Sequence, residues 1–507
     1  MTIIIIHDYN KVIEIKGVVN TIGFDNMPIA QVMILLAKKY PDALLVWCHL
    51  DVFPNLNSTL LNNIFCKKRM IASFSNSNEH YLTSSIGYID QMPFVKVVRD
   101  KRYPTFLMST IIGGIFSETL LKFKGCQKSD FGYFLNSIAK IGQPKGLFCY
   151  SDPRFIKGKI NCKIKTISIR NLFAFVAQHY SIKKVFLLFF CFVFYEQKCP
   201  IIPFLLAFLR KQNYAHCERL NEISLKGSLK DFKEVTEMDV IIPTIGRKEY
   251  LINVLEDLAQ QSWRPKTVIV VEQNPDFSSK SELEDLNKIQ WPFKLDLNFT
   301  HKAGVCSARN TALSKVTADW VFLADDDNRL QPELLATVKS KIEYFQVNVL
   351  NPAYLQLNES EPLKIEKQWE TFGAGCSFMA SRLLKEVQFD LGFEFGYAED
   401  KDFGAQLRNN GSDILYDPNI KILHLKAPIG GFRFEHSYPW QKEKYTPKPS
   451  PTIMLHSLKN KTREQFLGFK LVYFLQRLSG WQSILRINSI FKEWNCSLKW
   501  ATHLKND

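Results

Sequence analysis

Asp325, Asp326 and Asp327 are three consecutive carboxylates that close an apolar run in the segment WVFLADDDN. Aromatic, Val and Leu residues in such a run read as a buried strand, and acidic groups at its end sit where open α/β sheets place their ligands. Oxygen-rich carboxylate sites suit Mg2+ or Mn2+, ions that commonly share their shell with substrate phosphates. The triplet therefore predicts a cation and a phosphorylated substrate, against the plainer reading of a solvated acidic turn. A second acidic pair, Glu399 and Asp400, opens a predicted helix in YAEDKDFG. The helix dipole there favours an ionised carboxylate, fit to act as a base, and ordinary helix capping is the competing reading.

Further residues fall into a fixed order around these two clusters. VIIPTIGR brings Pro243, Thr244 and Arg247 to the end of a strand, and VIVVEQN ends a second strand with Glu272. A G-x-x-x-A-R-N helix start supplies Gly304 and Arg309. After the aspartates come a glycine-rich turn, FGAGCSFMA, with Gly373 and Gly375, the acidic helix start, and a strand KILHL with His424. Six elements in this order over roughly 190 residues resemble the family 2 glycosyltransferases of the GT-A fold.

The resemblance implies an inverting transfer from a nucleotide-diphosphate sugar. It implies Asp327 as metal ligand, Asp325 on the ribose or the metal, Asp326 in the nucleotide-sugar site and His424 as a further ligand or phosphate contact. Pro243, Thr244, Arg247 and Gly304 would line the nucleotide side. Glu272 would read the base or ribose, at a position where the family more often has Asp. Asp400 would be the general base, with Glu399 orienting it or touching the acceptor. Gly373 and Gly375 would let backbone approach the sugar, although a tight turn also explains them. Arg309 would pair with diphosphate or with a buried carboxylate of the fold. A base opposite a metal-bound leaving group needs no covalent intermediate.

The elements that must carry these residues alternate strand and helix. Leu251, Leu255 and Leu258 share one helical face between the strands of VIIPT and 267–271, a β-α-β rhythm that predicts a mostly parallel, Rossmann-like sheet. The chain divides into an α/β domain at 1–180, an apolar helical hairpin and linker at 181–238, the catalytic α/β domain at 239–435 and a basic amphipathic helical region at 436–507. Within the hairpin, 185–195 and IIPFLLAFLR are each too short for the roughly 20 apolar residues of a membrane span. Packing between domains is the first reading of the hairpin, and a monotopic membrane contact the second. Trp481, Trp494 and Trp500 lie among Lys and Arg near the C-terminus, the composition of an interfacial anchor or of a packing helix.

Three blocks repeat in order. LLAKKYPDALLVWCHLDVFPN parallels ALSKVTADWVFLADDDNRLQP, MSTIIGGIFSETLL parallels TFGAGCSFMASRLL, and KSDFGYFLNSIAKIGQPKGLFCYSDPRF parallels EDKDFGAQLRNNGSDILYDPNI. The first domain thus reads as a degenerate, non-catalytic GT-A-like copy, against an unrelated α/β domain. It keeps Asp51 alone of the aspartate cluster, has Gln127 and Lys128 in place of Glu399 and Asp400, and lacks most of the nucleotide-binding half.

Composition sets outer limits. The chain has 507 residues, 46% hydrophobic and 23% charged, with a net charge of +15 that calls for anionic partners. Its 11 cysteines form no C-x-x-C pair and read as reduced, buried thiols. The apolar start MTIIIIHDYNK has no charged leader and reads as a first strand. These features predict a cytoplasmic enzyme, with a possible peripheral contact on the inner face of the membrane. The expected acceptor is a glycan or lipid-linked glycan of a bacterial surface polysaccharide. The absence of a Q-x-x-R-W motif argues against a processive synthase. A nucleotidyltransferase would need a Gly-rich phosphate loop that PTIGRKEY lacks. A non-catalytic glycan-binding scaffold stays open for the first domain, and dispersed basic charge with no reader motif argues against nucleic acid.

Overall fold

The computed structural model describes every residue except 19–26, 127–129, 159–161, 210–214, 230–231, 429–436, 479–485 and 507. Gln127, Lys128 and Trp481 lie outside the described residues. The chain folds as two compact units, Met1–Leu229 with Lys461–Gln476, and Lys230–Asn460 with Arg477–Asp507.

The first unit is built on β1 (Thr2–His7), β2 (Val12–Lys16), β3 (Leu44–His49), β4 (Met70–Phe74), β5 (Tyr103–Pro104), β6 (Ile112–Phe116) and β8 (Phe148–Ser151), in the order β2-β1-β3-β6-β4-β8-β5. A short β7 (Phe123–Lys124) pairs with β9 (His216–Cys217). Every residue of β3 and β4 is buried, as continuous apolar runs require of central strands.

The hairpin is two helices, Ile182–Tyr195 and Ile201–Leu209. It belongs to the first unit and packs on the helix Ile169–His179, where Phe173 meets Phe192 and Phe204 at ring separations of 5.8 and 6.5 Å. Four-residue spacing gives the hairpin two faces, and Ile182, Phe186, Phe190 and Phe194 project from the outer one, joined by Ile201, Ile202, Leu205 and Leu209.

The second unit has β10 (Met238–Thr244), β11 (Thr267–Gln273), β12 (Lys294–Thr300), β13 (Trp320–Leu323), β14 (Asn328–Arg329), β15 (Val349–Leu355), β16 (Lys367–Gln368), β17 (Phe378–Ala380) and β18 (Leu415–His424). Their order is β12-β11-β10-β13-β17-β15-β18-β14, with β16 beside β18. The first four strands are parallel, β17 runs against both its neighbours, and β15 and β18 are again parallel. Between β10 and β11 the helix Lys248–Ala259 buries Leu251, Leu255 and Leu258, the face expected from their spacing.

The C-terminal segment is not one region. The helix Arg463–Arg477 lies mostly in the first unit, where Gln465 donates to the Asp90 and Met92 carbonyls at 3.0 and 2.9 Å. The helices Pro451–Asn460 and Ile487–Asn506 pack together in the second. Trp494 is buried, and the half-buried Trp500 donates to Glu443 at 3.0 Å, so these two are packing residues and not an exposed anchor.

The two sheets share a path. In the first unit β1-β3-β6-β4-β8 follows the same order and the same sequence of parallel and antiparallel pairings as β10-β13-β17-β15-β18 in the second. The register agrees with the sequence repeat: Leu44 faces Phe116 and Leu45 faces Ile115, as Val321 faces Met379 and Phe322 faces Phe378. This register puts Cys48, His49 and Leu50 where the second unit has Asp325, Asp326 and Asp327. Asp51 falls at the position of Asn328, which corrects its expected equivalence to the aspartate cluster by one place.

Candidate active site

The strand β13 ends at Leu323, and the three aspartates diverge immediately beyond it. Asp326 turns into the fold: its carboxylate accepts from Thr244 Oγ1 and Arg247 Nη1, both at 2.7 Å, and burial raises its pKa to about 6. Thr244 is there because β10 runs parallel to β13 and ends at the same level. Thr244 and Arg247 thus hold Asp326 in place, and Pro243 lies within the same buried strand.

Asp327 faces the other way. Its Oδ2 accepts the Ala427 N–H at 2.9 Å with Arg247 Nη1 at 3.5 Å, while its buried Oδ1 has no hydrogen bond and lies 3.4 Å from His424 Nε2. Burial alone would raise this carboxylate. His424, the Ala427 amide and Arg247 outweigh it and hold Asp327 below the usual range, and Asp327 in turn raises His424 against the effect of burial. His424 ends β18, opposite Asn328 of β14, and stacks on Tyr354 at 4.5 Å. An orphaned buried carboxylate oxygen beside an imidazole fits a divalent cation, because an unpaired acceptor in the interior is costly.

The third expected metal ligand, Asp325, is directed elsewhere. Its Oδ1 accepts from Arg309 Nη2 at 3.0 Å, and the Tyr354 hydroxyl lies 3.4 Å from Oδ2. Gly375 makes this possible, since a Cβ there would stand 2.0 Å from Asp325 Oδ2. Gly373 has a separate role: its N–H donates to Asn351 Oδ1 at 2.8 Å, and a Cβ would meet Cys376 Sγ at 2.5 Å. Both glycines are required by packing against side chains.

Glu399 and Asp400 open the helix Glu399–Asn409, with Ala398 at φ +81° before them. Asp400 Oδ1 accepts the Lys401 N–H at 2.7 Å. Burial raises the Asp400 pKa, and burial with the Asp400 charge raises Glu399 to about 7. The charge of the buried Arg309, which is paired with Asp325, opposes both shifts. Of the two readings for Arg309, the structure gives the carboxylate partner.

Two other expected nucleotide contacts are engaged within the fold. Glu272 accepts the Glu282 N–H at 2.8 Å and the Ser281 hydroxyl, so its carboxylate pins a loop. Gly304, at φ +144°, precedes the helix Val305–Leu313, whose Cys306 and Ser307 N–H groups donate to the Glu394 carboxylate at 2.8 and 2.9 Å. A Cβ on Gly304 would fall 2.4 Å from Glu394 Cδ. That helix has no capping side chain of its own and no acid in its first turn, the signal by which a distant anion could have been anticipated. Glu394, Tyr354 and Asn328 are the participants that sequence reasoning missed; the Tyr354 hydroxyl donates to Asn328 Oδ1 at 2.6 Å.

The model of glycosyl transferase family 2 matches residues 239–382, from the first strand of this unit to just past β17. A GalNAc(5)-diNAcBac-PP-undecaprenol beta-1,3-glucosyltransferase of Campylobacter jejuni is 28% identical over 105 residues, covering 21% of this chain and 34% of that protein. Glycosyltransferase GlyA of Streptococcus pneumoniae is 23% identical over 226 residues, covering 39% and 30%. The poly(ribitol-phosphate) beta-N-acetylglucosaminyltransferase TarS of Staphylococcus aureus is 28% identical over 116 residues, covering 22% and 20%. The chain spans about a third or less of the length of these curated relatives. Among solved structures, S. aureus TarS 1–349 in complex with UDP-GlcNAc covers 48% of this chain and 72% of that one, at 19% identity and a TM-score of 0.36. Residues 239–382 are therefore a family 2 glycosyltransferase domain.

Proposed function

We propose that the second unit is a non-processive, inverting glycosyltransferase that moves a sugar from a nucleotide-diphosphate donor to a hydroxyl of a glycan or lipid-linked acceptor in bacterial surface polysaccharide synthesis. One observation carries the reading: the charge of the buried Arg309, which pairs with Asp325 beyond β13, also acts on Glu399 and Asp400 at the start of the helix Glu399–Asn409. A donor end and an acceptor end within one site are what sugar transfer needs.

Asp400 takes the proton of the acceptor hydroxyl, whose oxygen forms the new bond to the anomeric carbon as the bond from that carbon to the diphosphate oxygen breaks. Burial raises its proton affinity above that of an ordinary carboxylate, which strengthens it as a base. Glu399, with a pKa of about 7, limits the negative charge facing the incoming oxygen. Asp327 and His424 would hold a divalent cation, Mn2+ or Mg2+, which supplies positive charge to the leaving diphosphate. Asp326 braces this wall through Thr244 and Arg247, and Asp325 stays available to the donor only as far as Arg309 and Tyr354 release it.

The Campylobacter relative is named for an undecaprenol-linked glycan, and the exposed stripe of the first unit's hairpin supports a lipid-linked acceptor here. No described helix is long and apolar enough to cross a membrane. The stripe instead suits a peripheral contact on the inner face of the cytoplasmic membrane, with exposed Lys183 and Lys198 near the ends of the first helix.

The test is thermal stabilisation by UDP-, GDP- and dTDP-sugars with Mn2+, followed by turnover of the donor that binds. Asp400→Asn should bind that donor and transfer slowly, whereas Asp327→Ala should lose metal-dependent stabilisation. Parent-like transfer by both variants, or activity indifferent to chelation, would overturn the reading.

A further inference from the structure

At the end of β3, in the first unit, three side chains of different chemistry meet. His49 Nδ1 lies 3.5 Å from Asp51 Oδ2 and 3.6 Å from Cys162 Sγ. Among the described residues this is the one group of three or more His, Cys, Asp or Glu whose donor atoms all lie within 4.8 Å of one another. His49 and Cys162 are buried and Asp51 is exposed. The ring of Tyr9 packs against that of His49 at 4.2 Å, and its hydroxyl donates to the Lys163 carbonyl at 2.7 Å while lying 3.2 Å from Cys162 Sγ.

We propose that His49, Asp51 and Cys162 form a binding site for a borderline-soft divalent ion of the Zn2+ class, separate from the glycosyl-transfer site. The spacing argues for it. Tetrahedral bonds of about 2.0 Å to nitrogen, about 2.1 Å to oxygen and about 2.3 Å to sulfur put nitrogen and sulfur about 3.6 Å apart, and nitrogen and oxygen about 3.4 Å apart. The separations from His49 match both. A direct imidazole–carboxylate hydrogen bond would be shorter than 3.5 Å; in the metal-free arrangement His49 Nδ1 takes a long 3.3 Å bond from the Asp51 N–H and a 3.6 Å hydrogen bond with Cys162 Sγ.

The ligand set also selects the ion. Carboxylates alone favour Mg2+ or Mn2+, whereas a thiolate with imidazole favours Zn2+. His49 stands in register where the second unit has Asp326, so the strand end common to both sheets carries carboxylates in one unit and, in the other, an imidazole and a carboxylate that meet a thiol from beyond β8. Binding converts the Cys162 thiol to a thiolate, with its proton released to solvent, and ties the chain beyond β8 to the end of β3. Three protein ligands leave a fourth position for water.

The experiment titrates the reduced, chelator-stripped full chain with Co2+, which reports thiolate ligation by a near-ultraviolet sulfur-to-cobalt charge-transfer band. The parent should develop the band at one equivalent per chain. Cys162→Ser should abolish it, and Cys199→Ser, Cys217→Ser and Asp327→Ala should each retain it. Asp51 is exposed, so Asp51→Asn should fold like the parent by circular dichroism and bind Co2+ about 10- to 100-fold more weakly. No band in the parent, a band that survives Cys162→Ser, or unchanged affinity in Asp51→Asn would overturn the assignment.

Discussion

Gly375→Ala probes the catalytic geometry with a single methyl group. The added Cβ would stand 2.0 Å from Asp325 Oδ2 and 2.4 Å from its Cγ, so the carboxylate must retreat by more than about 1 Å to reach ordinary contact. Gly375 has no positive φ among the glycines that do, so backbone strain does not contribute. The retreat breaks the 3.0 Å pair with Arg309, whose charge also lowers the proton affinity of Glu399 and Asp400. A misplacement near 1 Å costs on the order of 100-fold in rate, or about 2.7 kcal/mol of transition-state stabilisation. Overpacking should lower folding stability by about 1–3 kcal/mol, which denaturant unfolding measures separately from kcat/KM. The decisive comparison is the double variant Gly375→Ala/Asp325→Ala. If displacement of Asp325 is the damage, the double variant should be no slower than Asp325→Ala alone. A Gly375→Ala enzyme with the parent kcat/KM, or fully additive losses, would refute the reasoning.

Three further outcomes follow from particular contacts. Because Asp400 must be ionised to act as the base, and burial raises its pKa, kcat/KM should fall on the acid side, and Glu399→Gln should shift that limb; a profile with no acid limb would contradict the assignment. The stability contribution of Glu399 has the opposite sign: the raised folded-state pKa is most favourable below the ordinary 4.5 and is lost as pH rises through about 7. Glu394→Ala leaves the Cys306 and Ser307 amides without their acceptor and should lower the stability of the second unit by about 1–2 kcal/mol, while Glu394→Gln recovers part of it; equal stability of Glu394→Ala and the parent would discount the cap. Replacing Phe186, Phe190 and Phe194 by Ser should weaken partition onto anionic vesicles by roughly 100-fold, about 3 kcal/mol for three half-exposed rings, and unchanged co-sedimentation would exclude the hairpin as the contact.

What could be read from the sequence follows the range of the interactions. The strands ending in Thr244, Asp325–Asp327 and His424 were legible because period, β-branching and the abrupt change to acid are local. The family resemblance implied His424 beside Asp327, and the two lie 3.4 Å apart. Roles set by distant partners were not legible. Glu272 is held by Ser281 and Glu282 across a loop, and the helix start after Gly304 is capped by Glu394, 88 residues beyond Cys306. Asp400 shows the same limit: its place at a helix start is local, but the burial that raises its pKa is tertiary. Amphipathic spacing likewise announced the helices after residue 450 without revealing which core each would join. The exposed outer face of the hairpin was equally hidden, because a run apolar on all sides carries no mark of which side is covered.

The division of the C-terminal segment constrains how the protein is made. Residues Lys461–Gln476 complete the first unit and Arg477–Asp507 the second, so the chain passes between the units three times. A ribosome that has released the first 229 residues has not yet supplied the segment containing Gln465, whose side chain bonds the Asp90 and Met92 carbonyls. The first unit must therefore wait, incomplete, through synthesis of the whole glycosyltransferase domain, contrary to the usual order in which an N-terminal domain closes first. It follows that no single cut yields either unit intact, and that a premature stop after Asn460 deprives both of a helix.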